Sequence, residues 1–141
     1  MNHKEYTQAV ERKEYPDNPI CPLGSKFENA AGVIQNLIEN CSLNSVAIVE
    51  SKGGSERSNH WHKEGDHFLY CLKGSFEYYE RDVDDTTYSK IVVHAGMMIY
   101  TPPRKVHLTV FLEDTILVSI GSNPRSHEAH ENDLVREKFF K

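Results

Sequence analysis

From Ser45 to Gly121 the chain is cut into short runs of β-branched and aromatic residues, each closed by a turn signal. SVAIVES (45–51) stops at Gly53–Gly54, and HFLYCLKG (67–74) ends in a Lys73–Gly74 turn. SFEYYERDV (75–83) returns from that turn and runs into a charged hairpin loop, Asp82 to Thr86. YSKIVVH (88–94), MMIYT (97–101), HLTVFLE (107–113) and TILVSIG (115–121) follow, with Ala95–Gly96 and PPRK as breaks. Within one run, Phe76, Tyr78 and Glu80 alternate with Glu77, Tyr79 and Arg81, the period of two that marks a half-buried strand. Seven or eight short strands with turn signals roughly every 8–12 residues predict an all-β sandwich or barrel.

The flanks read differently. Residues 1–26 form a polar arm punctuated by YPDNP and CPLG, with no clear periodicity. Between Phe27 and Leu43 a strand is expected around Gly32 to Leu37. A short helix over VIQNLIENC competes with it, because Val33, Leu37 and Ile38 fall at i, i+4 and i+5; the strand is preferred. The one strong helix candidate is the tail, SHEAHENDLVREKFF, charged with an apolar edge. The chain thus divides into an N-terminal arm (1–26), a barrel (27–121) and a helical tail (122–141).

A length of 141 residues suits one core. A net charge of -5 argues against nucleic acid, whose binders need Lys and Arg to displace phosphate counterions. No stretch approaches the ~20 apolar residues of a membrane span, and the polar amino terminus has no apolar run for a signal peptide. Cys21, Cys41 and Cys71 are odd in number and far apart, which fits reduced thiols. A cytoplasmic protein is expected.

Four of the eight histidines fall where a metal site would need them. His60 and His62 are two apart, so on a strand both rings point to one face and Trp61 to the other. After the short turn Lys63–Glu64–Gly65–Asp66, His67 opens the next strand. Asp66 competes for the same role, but alternation sends the two side chains to opposite faces. His107, just past the PPRK loop, would bring a fourth ring from a distant strand.

In detail, Gly54-S-E-R-S-N-His60-W-His62-K-E-G-D-His67-F-L-Y-C-L-K-Gly74 resembles the first cupin motif, G-x5-H-x-H-x4-E-x6-G, with His67 at the Glu position. Gly96-M-M-I-Y-T-Pro102-P-R-K-V-His107 resembles the second, G-x5-P-x-G-x2-H-x3-N, with Arg104 and Phe111 at its second Gly and its Asn. The motifs span residues 54 to 111. The resemblance implies a double-stranded β-helix, or jelly-roll barrel, holding one divalent transition metal through His60, His62, His67 and His107. Three histidines and a carboxylate suit Mn or Fe; with His67 in place of the Glu, Zn, Ni or Fe is expected. NHWHKEGDHFLYCLKGSFEYYER and MMIYTPPRKVHLTVFLEDT further resemble small cupins encoded with nucleotide-sugar and surface-polysaccharide enzymes. That likeness implies a small-molecule ligand, a sugar or nucleotide sugar, and isomerase or epimerase chemistry. A homodimer is likewise a family expectation, since sheet edges are often paired between subunits.

Other residues are candidates for the same cavity. Tyr70, Tyr100 and Glu77 are candidate catalytic groups, and Arg104 and Tyr78 candidate substrate contacts; core filling is the competing reading for the tyrosines, and solvation for Arg104. His127 and His130, three apart on the expected tail helix, read as surface residues among Glu128 and Glu131. His3 and His94 carry no signal. Two other functions stay open: an iron-dependent dioxygenase using an all-histidine site, and a non-catalytic metal or sugar binder.

Overall fold

Alternating runs this short can bury a face only by pairing into sheets, and the computed structural model shows two five-stranded antiparallel sheets laid face to face. It describes residues 1–122 and 127–140. The elements are α1 (His3–Glu11), β1 (Ile20–Cys21), β2 (Lys26–Asn29), β3 (Gly32–Gln35), β4 (Ser45–Ser51), β5 (Glu56–His62), β6 (His67–Lys73) and β7 (Ser75–Asp82). After them come β8 (Tyr88–His94), β9 (Met98–Thr101), β10 (Lys105–Phe111), β11 (Thr115–Gly121), α2 (His127–Asp133) and β12 (Leu134–Arg136). One sheet has the order β1-β9-β6-β11-β4 and the other β12-β5-β10-β7-β8; β2 and β3 form a separate hairpin. Apart from the β7–β8 hairpin, neighbours in sequence from β4 to β11 thus lie in opposite sheets, as in a jelly roll.

Inward-facing positions from both sheets fill the space between them. Leu69, Cys71, Ile99 and Leu117 from one sheet meet Phe76, Tyr78, Val93 and Phe111 from the other. These are the odd or even members of their strands, so the period-two pattern in the sequence is the burial pattern of the barrel.

Outside the barrel, the N-terminal arm departs from the sequence reading. Residues 3–11 are helical, with Asn2 and Glu5 making a reciprocal capping box. The N-x-x-E spacing of Asn2 and Glu5 precedes a short apolar stripe, Tyr6, Ala9 and Val10 at i, i+3 and i+4, which the polar composition of the arm masks. Tyr6, Ala9 and Val10 bury the inner side of this helix. Tyr6 and Val10 pack on Phe68, Met98, Tyr100 and Ile120, the outer face of the first sheet. His3 clamps the arm, one ring nitrogen against the Pro22 carbonyl at 2.7 Å and the other accepting from the Glu39 amide at 3.0 Å. The strand expected from Gly32 is β3, not a helix.

The tail is also shorter in helix than expected. Helix α2 stops at Asp133, and the next three residues pair with β5 as β12. Beyond it, Phe139 packs on Val106 and Leu108, covering the outer face of the second sheet. Open pairing positions on β5 outcompete continuation of a polar helix, because each extended residue finds a ladder partner. No helix among the described residues is long and apolar enough to cross a membrane.

Two motif glycines separate steric from conformational demand. At Gly74 (φ +95°) an added Cβ would collide with Thr115 Oγ1 and the Asp114 carbonyl, whereas at Gly54 (φ +85°) it would meet nothing within 4 Å. Gly54→Ala is expected to cost about 1–2 kcal/mol, the backbone strain alone, and Gly74→Ala about 3 kcal/mol or more. Equal losses in urea unfolding would contradict this assignment.

Candidate metal centre

A β-bulge in β5 determines which of its side chains share the cavity. In the ladder with β10, Thr109 pairs with Arg57 and Leu108 with Ser58, but His107 pairs with His60. Asn59 is the extra residue, and Ser58 and Asn59 have φ of 81° and 57°. Strict alternation would place Arg57 and His60 on opposite faces. The bulge resets the phase, so Arg57, His60 and His62 all line the cavity.

The cavity, of about 190 Å³, abuts the apolar core, and Leu69, Phe111 and Leu117 form part of its wall. Its walls include His60, His62, His67, His107 and His130, with Arg57 and the small side chains of Ser119 and Thr109. No carboxylate lines it among the described residues. His60, His62 and His107 place their ligand atoms within 4.8 Å of one another. Centroid separations are 4.9 Å for His60–His62, 4.7 Å for His60–His107 and 5.7 Å for His62–His107. His67 stands outside that tight group, its ring 5.7 Å from His62 and 5.4 Å from His107.

These distances fit a shared ion. At a nitrogen–metal distance of about 2.1 Å a ring centroid lies about 3.2 Å from the ion, so rings sharing it lie roughly 4.5–6.5 Å apart. Outer partners also suit ligation. His62 Nδ1–H donates to Asp133 Oδ2 at 3.0 Å, and His107 Nδ1–H donates to the Lys105 carbonyl at 3.1 Å. With Nδ1 engaged, Nε2 is the nitrogen each ring would offer a metal. Asp133 accepts in addition from the amides of Glu64 and Gly65. Burial would raise its carboxyl, but those amides and the His62 ring hold it below the usual range.

Burial, with the neighbouring imidazoles, lowers His60 to about 2. Burial lowers His107 to about 3 against the opposing Lys105 contact. Both are neutral at pH 7, the protonation state that binds a metal.

The remaining candidates divide by strand face. Tyr78 points inward; it is buried, with its ring 6.5 Å from His107. Its hydroxyl donates to Glu80 at 2.6 Å and accepts from Thr101 at 2.7 Å, and it does not line the cavity. Tyr70 and Tyr100, expected in the cavity, alternate outward from His67 and Thr101 into the cluster beneath α1. Tyr100 donates to Asp66, so Asp66 also faces away from the histidines. Glu77 faces outward and pairs with Lys90. Arg104 is exposed, stacked over the outward Trp61 ring at 5.9 Å. The cationic side chain at the cavity is Arg57, whose Nε donates to Ser51 Oγ at 2.8 Å; no motif singles it out, because its position depends on the bulge. His130 also corrects the reading as a surface residue: it is half-buried and lines the cavity. The expectation for the His127 side chain falls outside the described residues.

In metal-free protein the unfolded chain takes up protons on His60 and His107 below about pH 6.5, whereas the fold resists them until about pH 3 for His107. Stability is therefore full above that range and is lost as pH falls, by about 1.4 kcal/mol per pH unit for each imidazole. Urea unfolding in a chelator between pH 6.5 and 4.5 should show this slope, and a His60→Gln/His107→Gln variant should flatten it. A wild-type stability independent of pH there would refute the assignment.

A cupin-domain profile matches residues 47–120. No curated protein matches the chain by sequence. Among solved structures it is similar to QdtA, a sugar 3,4-ketoisomerase from Thermoanaerobacterium thermosaccharolyticum in complex with TDP. The TM-score is 0.65 at 17% identity, over 80% of this chain and 83% of that one. It is similar to dTDP-4-dehydrorhamnose 3,5-epimerase from Sulfolobus tokodaii, with TM-score 0.62 and 18% identity over 79% and 80% of the two chains. CapF, the capsular polysaccharide assembling protein of Staphylococcus aureus, matches with TM-score 0.63 and 17% identity over 88% of this chain but 34% of its own. At these identities the likenesses establish the fold. The profile covers more than half of this β-barrel chain, which belongs to the cupin-domain family.

Proposed function

We propose that this cupin binds one divalent metal ion and acts on a sugar or nucleotide sugar by isomerase- or epimerase-type proton transfer. The observation that carries the metal half is the convergence of His60, His62 and His107 within 4.8 Å, two of them with their outer nitrogens tied down. His67 is the fourth ligand in this reading, closing an all-imidazole set suited to Zn, Ni or Fe. When bound, the ion supplies a Lewis acid to polarise a substrate carbonyl.

The chain's own contribution is positioning and proton exchange. Imidazoles and hydroxyls are the groups able to exchange protons that line the cavity among the described residues; with the imidazoles given to the ion, the hydroxyls of Ser58, Thr109 and Ser119 are left to relay a proton. The cavity of about 190 Å³ is below the roughly 300–1,000 Å³ of most small-molecule clefts. Only the reacting end of a larger ligand enters, and Arg57 at the rim is the group to meet a phosphate outside. The sugar half rests on the resemblance and on neighbours crystallised with TDP and with TDP-4-keto-6-deoxyglucose. In the same reading two copies pair along β4, an edge strand exposing Val46 and Ile48, in a reducing cytoplasm that suits three free cysteines.

His62→Ala and His107→Ala are each expected to lower bound metal by at least about tenfold with the barrel still folded, measured by elemental analysis and circular dichroism. Metal-loaded wild type in deuterated water should place deuterium into TDP-4-keto-6-deoxyglucose, and both variants should not. Full metal occupancy in both variants would defeat the ligand assignment; absence of label with loaded wild type would defeat the sugar chemistry.

A further inference from the structure

The C-terminal segment is fastened to the strand that carries two of the histidines. Leu134 pairs with His62, Val135 with Trp61 and Arg136 with His60. The bulge creates groups for the tail to satisfy: the Glu137 amide donates to the Asn59 carbonyl at 3.0 Å, and the Phe139 amide to the Asn59 side chain at 3.0 Å. Arg81, buried under Phe139, donates to the Phe139 carbonyl at 3.1 Å.

Ahead of this strand, α2 places two polar residues one turn apart, and spacing of three puts them on one helix face. Asp133 holds the outer nitrogen of His62. His130 enters the cavity, its ring 5.5 Å from His62 and 6.2 Å from His60. Both distances fall inside the roughly 4.5–6.5 Å window for imidazoles sharing one ion. A residue placed only to fill space would meet apolar neighbours; this one meets the rings of two candidate ligands.

We propose that the tail supplies a further imidazole, His130, to the ion, so that metal binding clamps the tail and the docked tail retains the metal. The proposal rests on the metal reading above and extends the ligand set beyond the barrel. Linkage makes the effect reciprocal: whatever free energy the tail lends to metal binding, the metal lends to tail docking. Zinc should therefore slow amide exchange over residues 134–139, and loss of His130 should remove that slowing.

The test compares wild type, His130→Ala and His130→Phe, the last keeping a ring but no nitrogen. Zinc release to a chelator is expected to quicken at least about tenfold in both variants, the size seen for lost support of a metal ligand. The visible spectrum of the cobalt-loaded protein should change in both, and zinc should no longer protect residues 134–139. Metal-free thermal unfolding of His130→Phe should match wild type, which separates ligation from packing. Release rates, spectra and protection equal to wild type in both variants overturn the tail proposal while leaving the barrel site intact. Slow release restored by His130→Phe also overturns it, because packing alone then explains the effect. A wild type that binds neither zinc nor cobalt overturns this proposal together with the metal reading.

Discussion

The phase shift in β5 is the constraint on which the rest of the site depends. Side chains on a strand alternate, so a single strand offers one face at odd positions and the other at even ones. The extra residue at Asn59 breaks that rule once, and Arg57 joins His60 and His62 around one cavity. The break is costly: two non-glycine residues adopt positive φ, at roughly 1–2 kcal/mol each, and the ladder loses a pairing. Asn tolerates that backbone better than most residues, and the tail returns hydrogen bonds to its carbonyl and side chain. The tail is therefore part of how the site is held, although it lies far from the motifs in sequence.

The barrel separates two kinds of interior. Phe76, Phe111, Leu69 and Leu117 belong to the apolar core packed between the sheets. Beside it, imidazoles face one another around a cavity whose wall, among the described residues, holds no carboxylate. Such a cluster does not assemble for stability, since buried neutral imidazoles bring little cohesion and leave the protein acid-sensitive. The arrangement makes physical sense as a ligand set. Its outer contacts agree: Asp133 and the Lys105 carbonyl orient rings instead of neutralising charge.

Much of this was legible in the sequence. The strands from Ser45 to Gly121 follow from period-two patterning and turn residues, since an antiparallel barrel buries one face of each strand. Spacing singles out four barrel histidines, of which His60, His62 and His107 come within 4.8 Å of one another, and alternation turns Asp66 away from His67. The same rule, counted from His67, turns Tyr70 outward; Tyr70 and Tyr100 enter the candidate list by residue type and not by alternation. Both lie under α1, outside the cavity. Arg104 and Glu77 are candidates by residue type near the motifs, and type carries no direction.

What the sequence determined by itself was local: where strands begin and end, and which histidines are two positions or one turn apart. Those properties are encoded in short-range sterics and hydrophobic periodicity. What the tertiary structure decided was which distant segments meet. The bulge that recruits Arg57, the helix laid over the first sheet, and the return of His130 to the cavity and of Asp133 to the outer nitrogen of His62 all depend on pairing across many residues. No local pattern specifies such pairing, because a ladder partner is chosen by the remainder of the fold and not by the strand that accepts it.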